Sequence, residues 1–205
     1  MTKQRIRWGG MAVAAGGTLW GAAMLAAGPL ADDELDRIEL TGSLAWQLGV
    51  LALLAVMHAT RATGTGRFGR SLLAVATALV LLAMGWTVGA LVDPDAAGEG
   101  IMVALDAAWP LSMLWLLVVA IAVARAKQWT GRARWAPLIA KLWFVVAIVT
   151  MAVLPEWPAL VVRSVAMAAL FGWLGWVIVA DIAPGKAVAG GTRHGSSSPA
   201  GTPVY

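Results

Sequence analysis

Six apolar runs, separated by short charged segments whose sign alternates, dominate this chain. A helix needs roughly 20 apolar residues to cross the hydrocarbon core of a bilayer, because each residue advances it by about 1.5 Å. The fourth run shows the pattern clearly: it starts at Ile101 after an acidic segment and ends in a basic one. The basic residues there are Arg125, Lys127, Arg132 and Arg134. This alternation predicts an all-α membrane protein.

The predicted fold is a six-helix transmembrane bundle in a domain that covers residues 1–183. The predicted helices cover about 8–31, 42–60, 71–92, 101–124, 135–154 and 159–182. A Gly-, Ser- and Pro-rich segment, 184–205, has the composition of a disordered cytoplasmic tail. Nearly all basic residues then share one side with both termini, and the positive-inside rule makes that side cytoplasmic in a cell (plasma) membrane.

We predict that a reporter fused after Tyr205 is active on the cytoplasmic side, because an even number of spans returns the C-terminus to the side of the basic N-terminus. The measurement compares an enzyme that folds only inside the cell with one that folds only outside it. Activity of the outer reporter alone would contradict the six-span topology.

Composition places the chain in the membrane class and argues against several functions. Hydrophobic residues make up 60% of it and charged residues 13%, which is far from the balance of water-soluble domains. The net charge of +4 comes from short loops that fit membrane topology, so the expected partner is the lipid bilayer and not nucleic acid. With no cysteine and two histidines, we predict no metal site and no cofactor.

Seven of the polar residues within the apolar runs are singled out, because a charge at the bilayer centre costs about 2.5–3.5 kcal/mol and needs a reason. Their distances from the run ends define an outer layer of Gln47, Thr87, Asp106 and Arg163, and an inner layer of His58, Lys141 and Asp181. These are the candidate binding residues.

Two interpretations of these layers remain open. In the functional one, Asp106 pairs with Arg163 on the outer side, Asp181 pairs with Lys141 or His58 on the inner side, and an apolar plug separates them. In the structural one, the long side chains reach the interfaces and serve as anchors. The tryptophans near the run ends, including Trp109, Trp129 and Trp143, are expected in interfacial belts.

Two GxxxG pairs, Gly17/Gly21 and Gly85/Gly89, allow close approach of a neighbouring helix in the membrane, either of another protein or of a second copy. The basic start of the chain also fits a cleaved signal peptide, but its apolar run is long for one, so we expect a retained helix. We therefore favour an accessory or interaction subunit. A small-solute or proton pathway is the alternative and a membrane enzyme the third candidate, with no catalytic residue assigned.

The segment from Ala108 to Ala126, with its AWPLSML start and ARAKQWTGRARW exit, resembles small polytopic membrane proteins of high-GC bacteria. The resemblance covers most of the helical region and rests on low-complexity residues. It implies the fold class and carries no activity to this chain.

Overall fold

The computed structural model describes residues 1–29 and 36–188, and within them it is helical with no strand. The helices are α1 (Lys3–Ala27), α2 (Arg37–Ala59), α3 (Arg67–Val92), α4 (Ile101–Ala126), α5 (Ala136–Ala140), α6 (Leu142–Val153) and α7 (Glu156–Val177), the last continued by a π-helical segment (Ile178–Ile182). Among the described residues, six segments are long and apolar enough to cross a membrane, which confirms the predicted all-α, six-helix fold.

The fifth and sixth spans are each built from two pieces. The fifth, Ala136–Val153, joins α5 to α6, and the sixth, Glu156–Ile182, joins α7 to the π-helical segment. We call the end of the bundle with the chain's start and the loops at 60–66 and 127–135 the basic side, and the opposite end the acidic side. The acidic residues 32–34 and the predicted tail beyond 188 lie outside the described residues.

The first two helices begin before their apolar runs because polar residues cap them. The Thr2 hydroxyl accepts a hydrogen bond from the Arg5 backbone N–H, and α1 begins at Lys3. The Asp36 carboxylate accepts hydrogen bonds from the Ile38 and Glu39 backbone N–H groups at 2.7 and 3.0 Å. Capping satisfies N–H groups that a helix start leaves free, so both helices extend beyond the stretch that hydropathy alone marks.

Helix α1 lies between α2 and α7 and makes the closest contacts of the bundle. A Cβ atom placed on Gly16 would lie 2.7 Å from the Ala45 carbonyl oxygen of α2, and one on Gly21 would lie 2.6 Å from the Ser164 carbonyl oxygen of α7. The helices therefore meet backbone to backbone. Helix α3 packs between α2 and α4, and α6 packs on α7.

On the basic side, the loop after α4 is hydrogen-bonded to the segment that follows the sixth span. The Thr130 backbone N–H donates to the Ala187 carbonyl oxygen at 2.8 Å. The Trp129 indole N–H donates to the Thr60 hydroxyl at 3.0 Å, and this ring is fully buried and not in an interfacial belt. The first residues of the predicted tail, up to Val188, therefore contact this loop, and Trp129 and Val188 form an isolated antiparallel β-bridge.

We expect Gly21→Ala to lower the free energy of unfolding by about 1–3 kcal/mol, because the added methyl group collides with the Ser164 backbone. The matched control is Gly172→Ala in α7, where no atom lies within 4 Å of the added Cβ. Thermal unfolding in detergent, followed by intrinsic tryptophan fluorescence, measures both variants. Equal melting temperatures for the two would contradict the close α1–α7 contact.

Candidate functional site

Five aromatic rings from five helices fill the middle of the bundle. Trp20 of α1 lies 4.8 Å from Trp46 of α2, 6.1 Å from Trp109 of α4 and 5.5 Å from Trp143 of α6, measured between ring centroids. Phe171 of α7 lies 5.8 Å from Trp46. We call these five residues the aromatic cluster. Trp109 and Trp143 were predicted in interfacial belts, and that prediction is wrong because their rings pack inside the bundle.

Several buried polar atoms near the aromatic cluster have no hydrogen-bond partner among the described residues. They include the indole N–H groups of Trp46 and Trp143, Oε1 of Gln47 and the Ser164 hydroxyl. Each buried polar group without a partner costs roughly 1–3 kcal/mol. The aromatic cluster therefore fills the centre of the bundle with apolar rings. The polar atoms around it keep donors and acceptors without hydrogen-bond partners among the described residues.

Two candidate residues of the outer layer meet directly. The Gln47 side-chain amide donates to the Thr87 hydroxyl at 2.9 Å, and that hydroxyl donates to the Ala83 carbonyl oxygen at 3.1 Å. Both side chains are almost completely buried between α2 and α3. The similar depth of the two residues in the sequence signalled this contact.

The predicted Asp106–Arg163 pair is not formed. Asp106 is exposed on α4, whereas Arg163 is half-buried on α7 and forms no ion pair among the described residues. The physical reason is helix order: α4 packs on α3 and α5, whereas α7 packs on α1 and α6. Equal depth was therefore insufficient to bring the two charges together.

Asp181 pairs with Arg132, so the predicted partners Lys141 and His58 were wrong. The Arg132 guanidinium donates to both carboxylate oxygens, at 2.5 and 3.0 Å, and lies over the Trp176 ring at 4.0 Å from its centroid. These hydrogen bonds raise the pKa of Arg132. Arg132 lies in the loop between α4 and α5 and outside every apolar run, so the pattern of polar residues within the spans did not indicate it as a partner.

His58 instead lies at a surface pocket of about 390 Å³ on the basic side, next to Arg61 and Arg70. Its side chain is exposed, and the pocket lies where α2 ends and α3 begins. His58 and Asp181 are therefore parts of two separate surface features, and the inner layer is not one site.

Lys141 occupies the point where the fifth span is interrupted. Helix α5 ends at Ala140 and α6 starts at Leu142, and the Lys141 backbone N–H bonds to the Leu138 carbonyl oxygen three residues back. Its ammonium group lies 4.0 Å from the Met113 sulfur of α4. The Lys141 backbone stays in the right-handed helical region, with φ −72° and ψ −13°, so the span continues through a single tightened turn.

A cavity of about 200 Å³ lies beside the Lys141 side chain, between α4 and the fifth span. We call it the Lys141 pocket. Its lining residues are Met113, Leu114, Leu117, Leu138, Lys141, Leu142, Phe144 and Val145. Lys141 is the one polar residue among them. Phe144 also contacts Trp143, with 5.9 Å between ring centroids, so the pocket adjoins the aromatic cluster.

The described part of the chain contains no group of three or more His, Cys, Asp or Glu side chains placed to hold a metal ion. No family model, curated protein or solved structure matches this chain. The chemistry of the site therefore rests on its own residues.

The Gln47–Thr87 hydrogen bond gives a direct energetic prediction. We expect a coupling energy of about 0.6 kcal/mol, and at most about 1.7 kcal/mol, in a double-mutant cycle of Gln47→Leu and Thr87→Val, the average and the maximum for hydrogen bonds between membrane helices. The double variant should lose less stability than the sum of the two single variants. Strictly additive losses, measured by unfolding in detergent, would contradict a stabilising contact.

Proposed function

We propose that this multi-pass membrane protein is an accessory or interaction subunit with both termini on the cytoplasmic side. One observation carries the proposal: α3 exposes three small residues in line on its outer face, with the larger Leu81 and Leu82 beside them. Gly85, Ala78 and Ala74 lie on this face and are exposed. A helix from another subunit can approach closely where side chains are this small, which increases its van der Waals contact in lipid.

The other small-residue motif is already occupied within the chain. Gly17 and Gly21 are buried against Phe171 and Ser164 of α7. Gly89 has the Met102 side chain of α4 over it, whereas a Cβ on Gly85 would meet only the tip of Leu105, at 3.8 Å. Gly85 is therefore the position of the two GxxxG pairs that supports contact with a partner.

The closed centre of the bundle favours an interaction role over a solute or proton pathway. A pathway needs polar groups or water that continue from one side to the other. Here the aromatic cluster fills the centre of the bundle at the depth of Gln47, whose neighbour Trp46 belongs to it, and Asp106 is exposed on the outside. The polar layers therefore support local contacts and not a continuous route.

We expect the tagged full-length chain, isolated from its membrane in mild detergent, to bring down one partner in fixed stoichiometry, either a second copy or another membrane protein. Gly85→Leu should reduce the recovered partner at least about fivefold, which corresponds to about 1 kcal/mol of lost packing. Quantitative mass spectrometry of the isolated complex gives the ratio.

The matched control is Gly172→Leu, since Gly172 also has open space around its Cβ but lies on α7. It should retain the partner at the wild-type ratio. A wild-type chain that is isolated as a single copy without any stoichiometric partner would overturn the proposed function. Equal loss in both variants would overturn the assignment of the interface to α3.

A further inference from the structure

We propose that the Lys141 pocket binds a single-chain amphiphile with an acidic head, of the chemical class of long-chain fatty acids. The carboxylate would lie against the Lys141 ammonium group and the first part of the acyl chain against the apolar walls. This site is on a different part of the bundle from Gly85 and is independent of the proposed subunit role.

The pocket opens toward lipid. Four of its lining residues are large apolar side chains with substantial exposure, namely Leu114, Leu117, Leu142 and Val145. They come from α4 and α6, which are held apart because α4 packs on α3 while α6 packs on α7. An apolar ligand that diffuses in the bilayer can therefore enter from the side without crossing an interface.

The Lys141 side chain is directed toward the middle of the bundle and not toward its basic end. Its ammonium group contacts Met113, which is the midpoint of the 26-residue helix α4. A lysine that served as an anchor would extend to the interface, where water solvates the charge. The side chain instead lines the pocket, at the tightened turn between α5 and α6.

No acidic side chain within the described ranges neutralises Lys141. The single ion pair found there joins Arg132 to Asp181. Asp106 of α4 lies about 10 Å along the helix from Met113, at 1.5 Å per residue, and is exposed. A buried or lipid-facing ammonium group without a counter-ion is costly, so charge complementarity assigns a negative head to the ligand.

Size and wall chemistry restrict the ligand further. A cavity of about 200 Å³ with one cationic residue suits one acyl chain and one acidic group. A zwitterionic headgroup would bring a positive charge beside Lys141, and the pocket supplies no acidic residue for it. The remainder of the chain extends through the lateral opening into the bilayer.

The probe is 2-bromohexadecanoic acid, added to the full-length protein in phosphatidylcholine nanodiscs, because its bromine lies beside the carboxylate, quenches tryptophan fluorescence at short range, and Trp143 adjoins the pocket. We expect saturable quenching in the wild-type protein. Its methyl ester, which lacks the acidic head, should give only a weak linear decrease. Lys141→Met should weaken binding of the acid at least about tenfold, equivalent to about 1.4 kcal/mol.

Three further variants make the result specific. Lys3→Met removes the same charge at the exposed start of α1 and should bind as the wild type does. Gly85→Leu should also bind normally, which separates this site from the proposed interface. Val145→Phe fills the exposed mouth of the pocket without touching the lysine and should also weaken binding, so the test stands even if Lys141→Met fails to fold.

Equal quenching by the acid and the ester would overturn the proposal, because the ammonium group would then have no role. Equal affinity in the wild type and in Lys141→Met would overturn it as well. The absence of saturable quenching in the wild-type protein would also reject a fatty-acid site. The acidic group opposite Lys141 would then have to come from a protein partner.

Discussion

Backbone contact between α1 and its two neighbours is the interaction on which the rest of the structure depends. In a bilayer, transfer of apolar side chains from lipid to protein provides little driving force, so helices associate through van der Waals packing. Glycines on α1 allow this packing on two opposite sides, toward Ala45 of α2 and Ser164 of α7. This contact places Trp20, Trp46 and Phe171 around one centre, and the other spans assemble outside it.

The sequence predicted the number of spans because each apolar run and each charged loop is a local feature. It also predicted the equal depth of Gln47 and Thr87, and these residues meet because α2 and α3 are sequential neighbours. Contacts between distant spans depend on helix order and rotation, which no local pattern contains. Asp106 and Arg163 share a depth and still lie on helices that do not pack together. The break at Lys141 had no signal either, since neither glycine nor proline occupies residues 138–142.

Tryptophan shows why composition alone misleads in a membrane protein. Its amphipathic ring favours the interface, and that preference predicted belts for most of the twelve tryptophans. A bundle with glycine-rich helices has wide spaces elsewhere, however, and large rings fill them. Trp46 and Trp143 are buried in the bundle although their indole N–H groups have no hydrogen-bond acceptor in the described part of the chain. Dense packing there outweighs the unfavourable burial of two donors.

The interrupted fifth span is also the shortest of the six, and its length affects the surrounding lipid. Its 18 residues extend about 27 Å, whereas the other spans have 23 to 27 residues and the hydrocarbon core is about 30 Å thick. Lipids along this flank must therefore compress to cover α6, at a cost of a fraction of a kcal/mol per Å of hydrophobic mismatch. This mismatch predicts a thinner bilayer along one side of the protein and a preference for thin or short-chain regions of the membrane.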